Sequence, residues 1–206
     1  MEKKNKGMLF VVSAPSGAGK TTLCRAMVRT FPGMHYSISY TTRPPRPEEK
    51  DGRDYHFIPA EDFQKMIDAG EFAEWAEIYG HRYGTSKTIL ERIRDEGRDV
   101  IVDIDGQGAR QLRNQDLQAI FIFLLPPSWE ELKRRLSSRE TEPAAALEER
   151  LRKARLETAD SRWYDYLIIN NKLEKAQKEL EAIIRAEHCR RERVIEVLET
   201  MLTENK

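Results

Sequence analysis

Residues 13–22 read SAPSGAGKTT and lie between an apolar β-like run and a helical one, a passage that few folds accommodate. Gly17 and Gly19 free the backbone to turn successive N–H groups inward around phosphate oxygens, and the helix beginning TTLCRAM adds the positive end of its dipole. Strand, glycine-rich loop and helix in that order are the context of a P-loop, GxxxxGK[ST]. Lys20 is then placed to reach the β- and γ-phosphates of a nucleotide, and the Thr21 hydroxyl to ligate Mg²⁺. Ala14 stands where the pattern has its first glycine, at a strand exit that accepts a small side chain while φ stays negative.

Lys+Arg and Asp+Glu both number 35, so the formal net charge of zero gives no field for drawing in nucleic acid or an anionic membrane, and no such partner is expected. Any anion site must be local. Cys24 and Cys189 are too far apart for a metal-type spacing and form no disulfide framework, which suits a reduced compartment. The apolar run 119–125 is much shorter than the roughly 18 to 20 residues of a membrane helix. The run 8–12 likewise falls below the roughly 7 to 15 apolar residues of a signal peptide, so a soluble cytoplasmic protein is expected.

Apolar, β-branched or aromatic runs at 8–13, 99–104, 119–125 and 166–170 predict buried parallel strands. Helical patterns at 21–30, at 86–96, at 128–137 behind a Ser128 N-cap, and from 173 onward separate them. The expected fold is α/β with a mainly parallel sheet, one domain over 1–206. Its core is expected over 7–35, 86–133 and 156–206, with a small, irregular β-rich insertion over about 36–85 and an arginine-rich helical lid over about 134–155. Residues 173–202 carry apolar positions at helical spacing and predict a helix packed on the domain edge.

Phosphate binding leaves motor, transporter, GTPase and kinase open, so a second site must decide. No NKxD-type guanine reader occurs. Asp103 and Asp105 close DVIVDID at a spacing that puts both on one strand face, at a strand end where ligands gather, one carboxylate near the metal and one toward an acceptor. In SISYTTRPPRPEEKDGRDYHFI, Arg43, Arg46 and Tyr55 offer two guanidinium forks and a phenol for a second phosphate. EFAEWAEIYGHRYGTS adds Glu74, Tyr83 and Thr85. A carboxylate accepts from two neighbouring donors, which guanine offers through N1–H and its 2-amino group, while hydroxyls such as Ser39 and Thr85 can donate to O6.

Over about 8–188 these ordered motifs, with VDIDGQGA, IFLLPPS and LIIN, resemble the guanylate kinases. The resemblance implies the P-loop nucleoside monophosphate kinase fold and transfer of the γ-phosphoryl of ATP to GMP, and to dGMP, with Mg²⁺; the family also tolerates alanine at position 14. It assigns ATP to the loop residues Ala14, Pro15, Ser16, Gly17, Ala18 and Gly19, to Lys20, Thr21 and Thr22 that follow, and to Asn170. It assigns the GMP phosphate to Arg43, Arg46, Tyr55 and Tyr83, and guanine to Ser39, Glu74, Thr85 and Asp105. Asp103 would lie nearer the metal, and Arg135, Arg139 and Arg150 would act from the lid, catalysis falling to these with Lys20 and Arg43. Glu140 departs from the glycine usual after the lid arginine, and Asn171 from the acidic residue often found after the asparagine. Two rivals remain: a related kinase acting on ribose 1,5-bisphosphate, disfavoured by Ser39, Glu74 and Thr85 together, and a phosphopeptide-binding scaffold domain, disfavoured by intact Gly19, Lys20 and Thr21.

Overall fold

Both faces of the first strand are apolar, so it must lie inside a sheet covered on two sides. This is what the computed structural model contains; it describes residues 6–115, 117–137 and 144–203. In chain order the elements are β1 Leu9–Ser13, α1 Lys20–Thr30, β2 His35–Tyr36, β3 Tyr40–Thr41, β4 His56–Phe57, α2 Ala60–Asp68, β5 Phe72–Ile78, β6 His81–Ser86 and α3 Lys87–Asp95. There follow β7 Val100–Asp103, α4 Gly106–Arg113, β8 Ala119–Leu125, α5 Trp129–Ser137, α6 Ala144–Ala159, β9 Tyr166–Ile169, α7 Leu173–His188 and α8 Arg191–Thr203.

Five strands form a parallel sheet in the order β2-β7-β1-β8-β9. Phe10 and Val12 face α1 and α7 through Leu23, Met27, Leu180 and Ile184. Leu9 and Val11 face α3 and α4 through Leu90, Ile93, Ala109 and Leu112. The alternation of a buried strand thus builds two cores, one on each side of the sheet. Among the described residues, no helix is long and apolar enough to cross a membrane.

A second sheet, β4-β3-β6-β5, stands across a cleft from the first. Its β5 and β6 form an antiparallel hairpin whose turn holds Tyr79 and Gly80 at φ 51° and 77°. Phe63 of α2 stacks on Phe72 with 4.5 Å between ring centroids, which gives this small unit an apolar centre.

Four sequence expectations change. The segment read as irregular and β-rich holds α2, whose Phe63 is buried under the second sheet while Glu61 and Asp62 favour its first turn. α4 lies where no helix is expected. Asp105 is no strand residue: β7 ends at Asp103, and the Asp105 carboxylate instead caps α4 by accepting from Gly108 N at 2.9 Å. The C-terminal stretch is two helices, turning after His188 so that Arg193 donates to the Lys6 carbonyl at 2.8 Å.

Phe123 of β8 is fully buried between the strands and Tyr164. Phe123→Ala should cost about 3–5 kcal/mol of stability, read from denaturant unfolding. A loss under about 1 kcal/mol would show that this face of the sheet is not tightly packed.

Candidate active site

Val12 of β1 pairs with Asp103 of β7, so the loop leaving β1 begins beside the carboxyl end of its neighbour. That is the edge at which ligands bind in parallel α/β sheets. Ser13 Oγ donates to the Ile104 carbonyl at 3.0 Å and ties the two strand exits together. Gly17 and Gly19 take φ values of 84° and 89°, where a side chain would be strained. Among the described residues Tyr79 alone of the non-glycines has positive φ, so Ala14 keeps an ordinary backbone and the missing glycine costs the loop nothing.

Lys20 Nζ donates to the Ile104 carbonyl at 2.7 Å, and Thr21 Oγ1 to Asp103 Oδ2 at 2.5 Å. Both side chains are thereby aimed at the mouth of the loop. Asn170, at the end of β9, donates from Nδ2 to the Ala18 carbonyl at 2.7 Å. A Cβ on Gly19 would come within 2.8 Å of that amide. The structure places Asn170, nearly buried, beneath the loop as a brace.

Opposite the loop the cleft opens to about 1170 Å³ and reaches Ser39, Arg43, Arg46, Tyr55, Glu74 and Tyr83 on the second sheet and its leading loop. Arg43 donates from Nε to Tyr83 OH at 3.2 Å and from its terminal nitrogen to Glu49 Oε1 at 2.8 Å, and its guanidinium lies over the Tyr55 ring. Glu49 Oε2 accepts from the Arg46 backbone at 2.8 Å. Burial, with Asp103 nearby, pushes the Tyr55 phenol up to about 12. Glu49 has no role in the sequence reading, yet the charge of this arginine-rich turn is organised around it. Its signal was an acid six residues after one arginine and three after the next.

Glu74 is 4% exposed, and its Oε1 accepts from Thr85 Oγ1 at 2.5 Å. Thr85 itself stands fully buried behind this contact. Desolvation by burial raises the Glu74 carboxyl to about 7 against the lowering by the Thr85 hydroxyl, with Asp105 adding to the rise. A Cβ on Gly108 would lie 2.1 Å from Glu74 Oε2, so α4 can close on this carboxylate only with glycine there. Gly108 is a second residue that sequence reasoning missed; its signal was a glycine inside a helix start, GQG.

The arginines expected on a lid separate. Arg150 of α6 is 7% exposed and donates to Ser16 Oγ at 2.7 Å, at the loop. Arg135 of α5 donates to Glu131 at 2.8 Å and to the Asn170 carbonyl at 3.2 Å, behind the loop. Arg139 and Glu140 lie outside the described residues. Leu132 and Leu136 of α5 pack on Ala154 of α6. Leu136 also comes within 3.0 Å of a Cβ built on Gly17, so this pair of helices rests directly on the loop.

A phosphate loop at the end of a parallel sheet, facing a cationic and acidic pocket on an inserted second sheet, defines a phosphotransferase of the P-loop nucleoside monophosphate kinase class. The Guanylate kinase family model matches residues 6–187. A guanylate kinase of Geobacter sulfurreducens is 50% identical over 195 residues, 95% of this chain and 96% of that protein. One of Syntrophotalea carbinolica is 52% identical over 191 residues, covering 93% and 91%. The solved guanylate kinase of Anaplasma phagocytophilum superposes with a TM-score of 0.77 at 32% identity, covering 91% of this chain and 89% of that one. The chain belongs to the guanylate kinase family.

The raised Glu74 carboxyl is linked to stability. Its folded value of about 7 exceeds the roughly 4.3 of an unfolded glutamate, so its contribution is full below that lower value and lost as pH rises through about 7. Glu74→Gln resembles the neutral form. Between pH 5 and 8 the melting temperature of the ligand-free parent should fall more than that of the variant. Glu157, raised by burial to about 6, remains in both and cancels in the difference. Parallel curves would mean that Glu74 titrates as an ordinary carboxylate.

Proposed function

We propose that ATP sits on the 13–22 loop, GMP sits under the second sheet, and the γ-phosphoryl passes directly between them, giving ADP and GDP. The reading agrees with membership of the guanylate kinase family and with relatives that are guanylate kinases. One observation carries the acceptor's identity: a buried carboxylate, Glu74, held by Thr85 and facing the same cleft as Lys20. Guanine presents N1–H and a 2-amino group to such a carboxylate, whereas adenine lacks that pair of donors. Asp105 and Ser39, which line the same cleft, complete the base site. Arg43 and Arg46, with the phenols of Tyr55 and Tyr83, receive the acceptor phosphate, Arg43 exchanging its hold on Glu49 for the phosphate oxygens. dGMP presents the same base and phosphate and is expected to be accepted.

In the transfer an oxygen of the GMP phosphate bonds to the γ-phosphorus as the bond from that phosphorus to the β–γ bridging oxygen breaks. No protein nucleophile is needed, and no strong base, since the attacking oxygen is already anionic. Backbone N–H groups of the loop and Lys20 offset the charge on the donor phosphates. Arg150 approaches from α6 beside Ser16, and we assign Arg135 and Arg139 to the same lid. Asn170 acts on ATP by bracing the loop at Ala18. The donor set fits Mg²⁺: Thr21 Oγ1 is a hard oxygen at the loop mouth, held by the Asp103 carboxylate. When bound, the ion would neutralise phosphate charge. We place the reaction in the cytoplasm.

ADP formation with ATP, Mg²⁺ and each of GMP, AMP, CMP, UMP and dTMP tests the reading, GMP being the acceptor expected to turn over. Turnover with a different one would overturn the assignment of the second sheet. Lys20→Ala should lower kcat by about 10²- to 10³-fold with GMP affinity retained. Near-normal turnover would remove Lys20 from the mechanism. Glu74→Gln should raise the KM for GMP about 10- to 100-fold, the range for a lost hydrogen bond to a charged group, with the KM for ATP little changed. Equal rises in both would count against guanine reading by Glu74.

A further inference from the structure

Lys153 has no part in the chemistry above, yet three elements converge on it. Its Nζ lies 3.8 Å from Asp105 Oδ2, at the cap of α4, and 3.8 Å from Glu157 Oε1, one turn on along its own helix. It also sits over the Tyr79 ring, 5.5 Å from the centroid, at the turn of the β5–β6 hairpin. The Lys153, Asp105 and Glu157 side chains are 26%, 10% and 16% exposed, so their charges are far less screened than an open surface pair. Asp105 Oδ2 is buried and accepts no hydrogen bond among the described residues; the Lys153 ammonium is the cation that faces it.

Position on the helix gives this cluster its meaning. Arg150 and Lys153 are three apart and share a face of α6. The first reaches Ser16 on the phosphate loop, the second the carboxylate beside Glu74. A single helix face therefore touches the donor side and the acceptor side of the cleft.

Tyr79 supplies a second, independent observation. It is the described non-glycine residue held at positive φ, followed by Gly80, in a two-residue hairpin turn that asparagine or glycine fills without strain. A tyrosine there places a ring under the lid's ammonium, and backbone strain of this kind gathers where surrounding structure uses it.

We propose that Lys153 is a positioning residue for the acceptor: it fastens α6 to the base pocket through Asp105 and to the hairpin through Tyr79, so that the lid helix seats on both substrate sites together. This rests on the reading of the second sheet as the GMP site. Loss of the ammonium removes the ion pair that joins Asp105 and Glu157, leaving Lys20 as a cation acting on Glu157, and unfastens α6 from the acceptor side, while the Arg150 contact with the donor loop stays.

Steady-state kinetics on the full chain tests it. Lys153→Met keeps the aliphatic stem, and it should raise the KM for GMP about tenfold, within the usual range of coupling between sites, with the KM for ATP within about twofold. Lys153→Arg should restore most of the GMP affinity. Arg152→Met, which removes a cation from the exposed side of the same helix, should leave both constants unchanged. Tyr79→Asn relieves the turn, so it should raise the melting temperature and still weaken GMP binding by titration calorimetry, two changes of opposite sign that a structural role alone would not give. Unchanged GMP affinity in Lys153→Met, or equal rises in both KM values, overturns the inference. Failure of the parent chain to phosphorylate GMP would instead overturn the reading beneath it.

Discussion

Val12 and Asp103 lie side by side at the ends of two parallel strands, and from that pairing the donor site follows. It puts the Ile104 carbonyl within 2.7 Å of Lys20 Nζ and the Asp103 carboxylate within 2.5 Å of the Thr21 hydroxyl. The loop is held from a third side by Asn170, whose strand lies beyond β8 at the sheet's edge. A phosphate cradle made of backbone N–H groups binds well only if its turns are set before the ligand arrives. Three strands share that task here, and the two positive-φ glycines make the turns available.

The acceptor side is held differently. A short four-stranded sheet with a stacked Phe pair carries it, and its polar groups are held in pairs: Arg43 with Glu49, Glu74 with Thr85, Asp105 with the Gly108 N–H. Each pairing orients a group and also moderates the cost of burying it. Glu74 remains under strain in this sense, lifted to about 7, so two donors from a bound base would relieve a cost already present in the ligand-free protein. On the proposed reading, binding energy would be concentrated on a ligand that brings two N–H groups to one carboxylate.

α5 and α6 link the two sides. Leu132, Leu136 and Ala154 form a small apolar seam that rests on Gly17, while Arg150 and Lys153 project from one face of α6 toward Ser16 and Asp105. A helix pair attached through few apolar contacts and shielded charges is suited to the lid role proposed for it, because its equilibrium could shift with what occupies the cleft.

The sequence by itself determined the glycine-rich loop, the four core strands of the parallel sheet and most of the charged groups that line the cleft beneath the second sheet. Glycine positions, buried apolar runs and an arginine-rich turn are local patterns, and local patterns are legible. Tertiary structure alone decided what those groups do to one another. Asp105 lies two residues after Asp103 yet becomes a helix cap, because the Gly108 N–H offers its carboxylate a bond that a continued strand does not. Glu49, Gly108 and Lys153 acquire their places from partners 6, 34 and 48 residues away in sequence, at Arg43, Glu74 and Asp105. Asn170 turns from a strand-end amide into a brace on Ala18, 152 residues distant. Charge, burial and hydrogen-bond partners depend on distance through space, and sequence periodicity carries no measure of that.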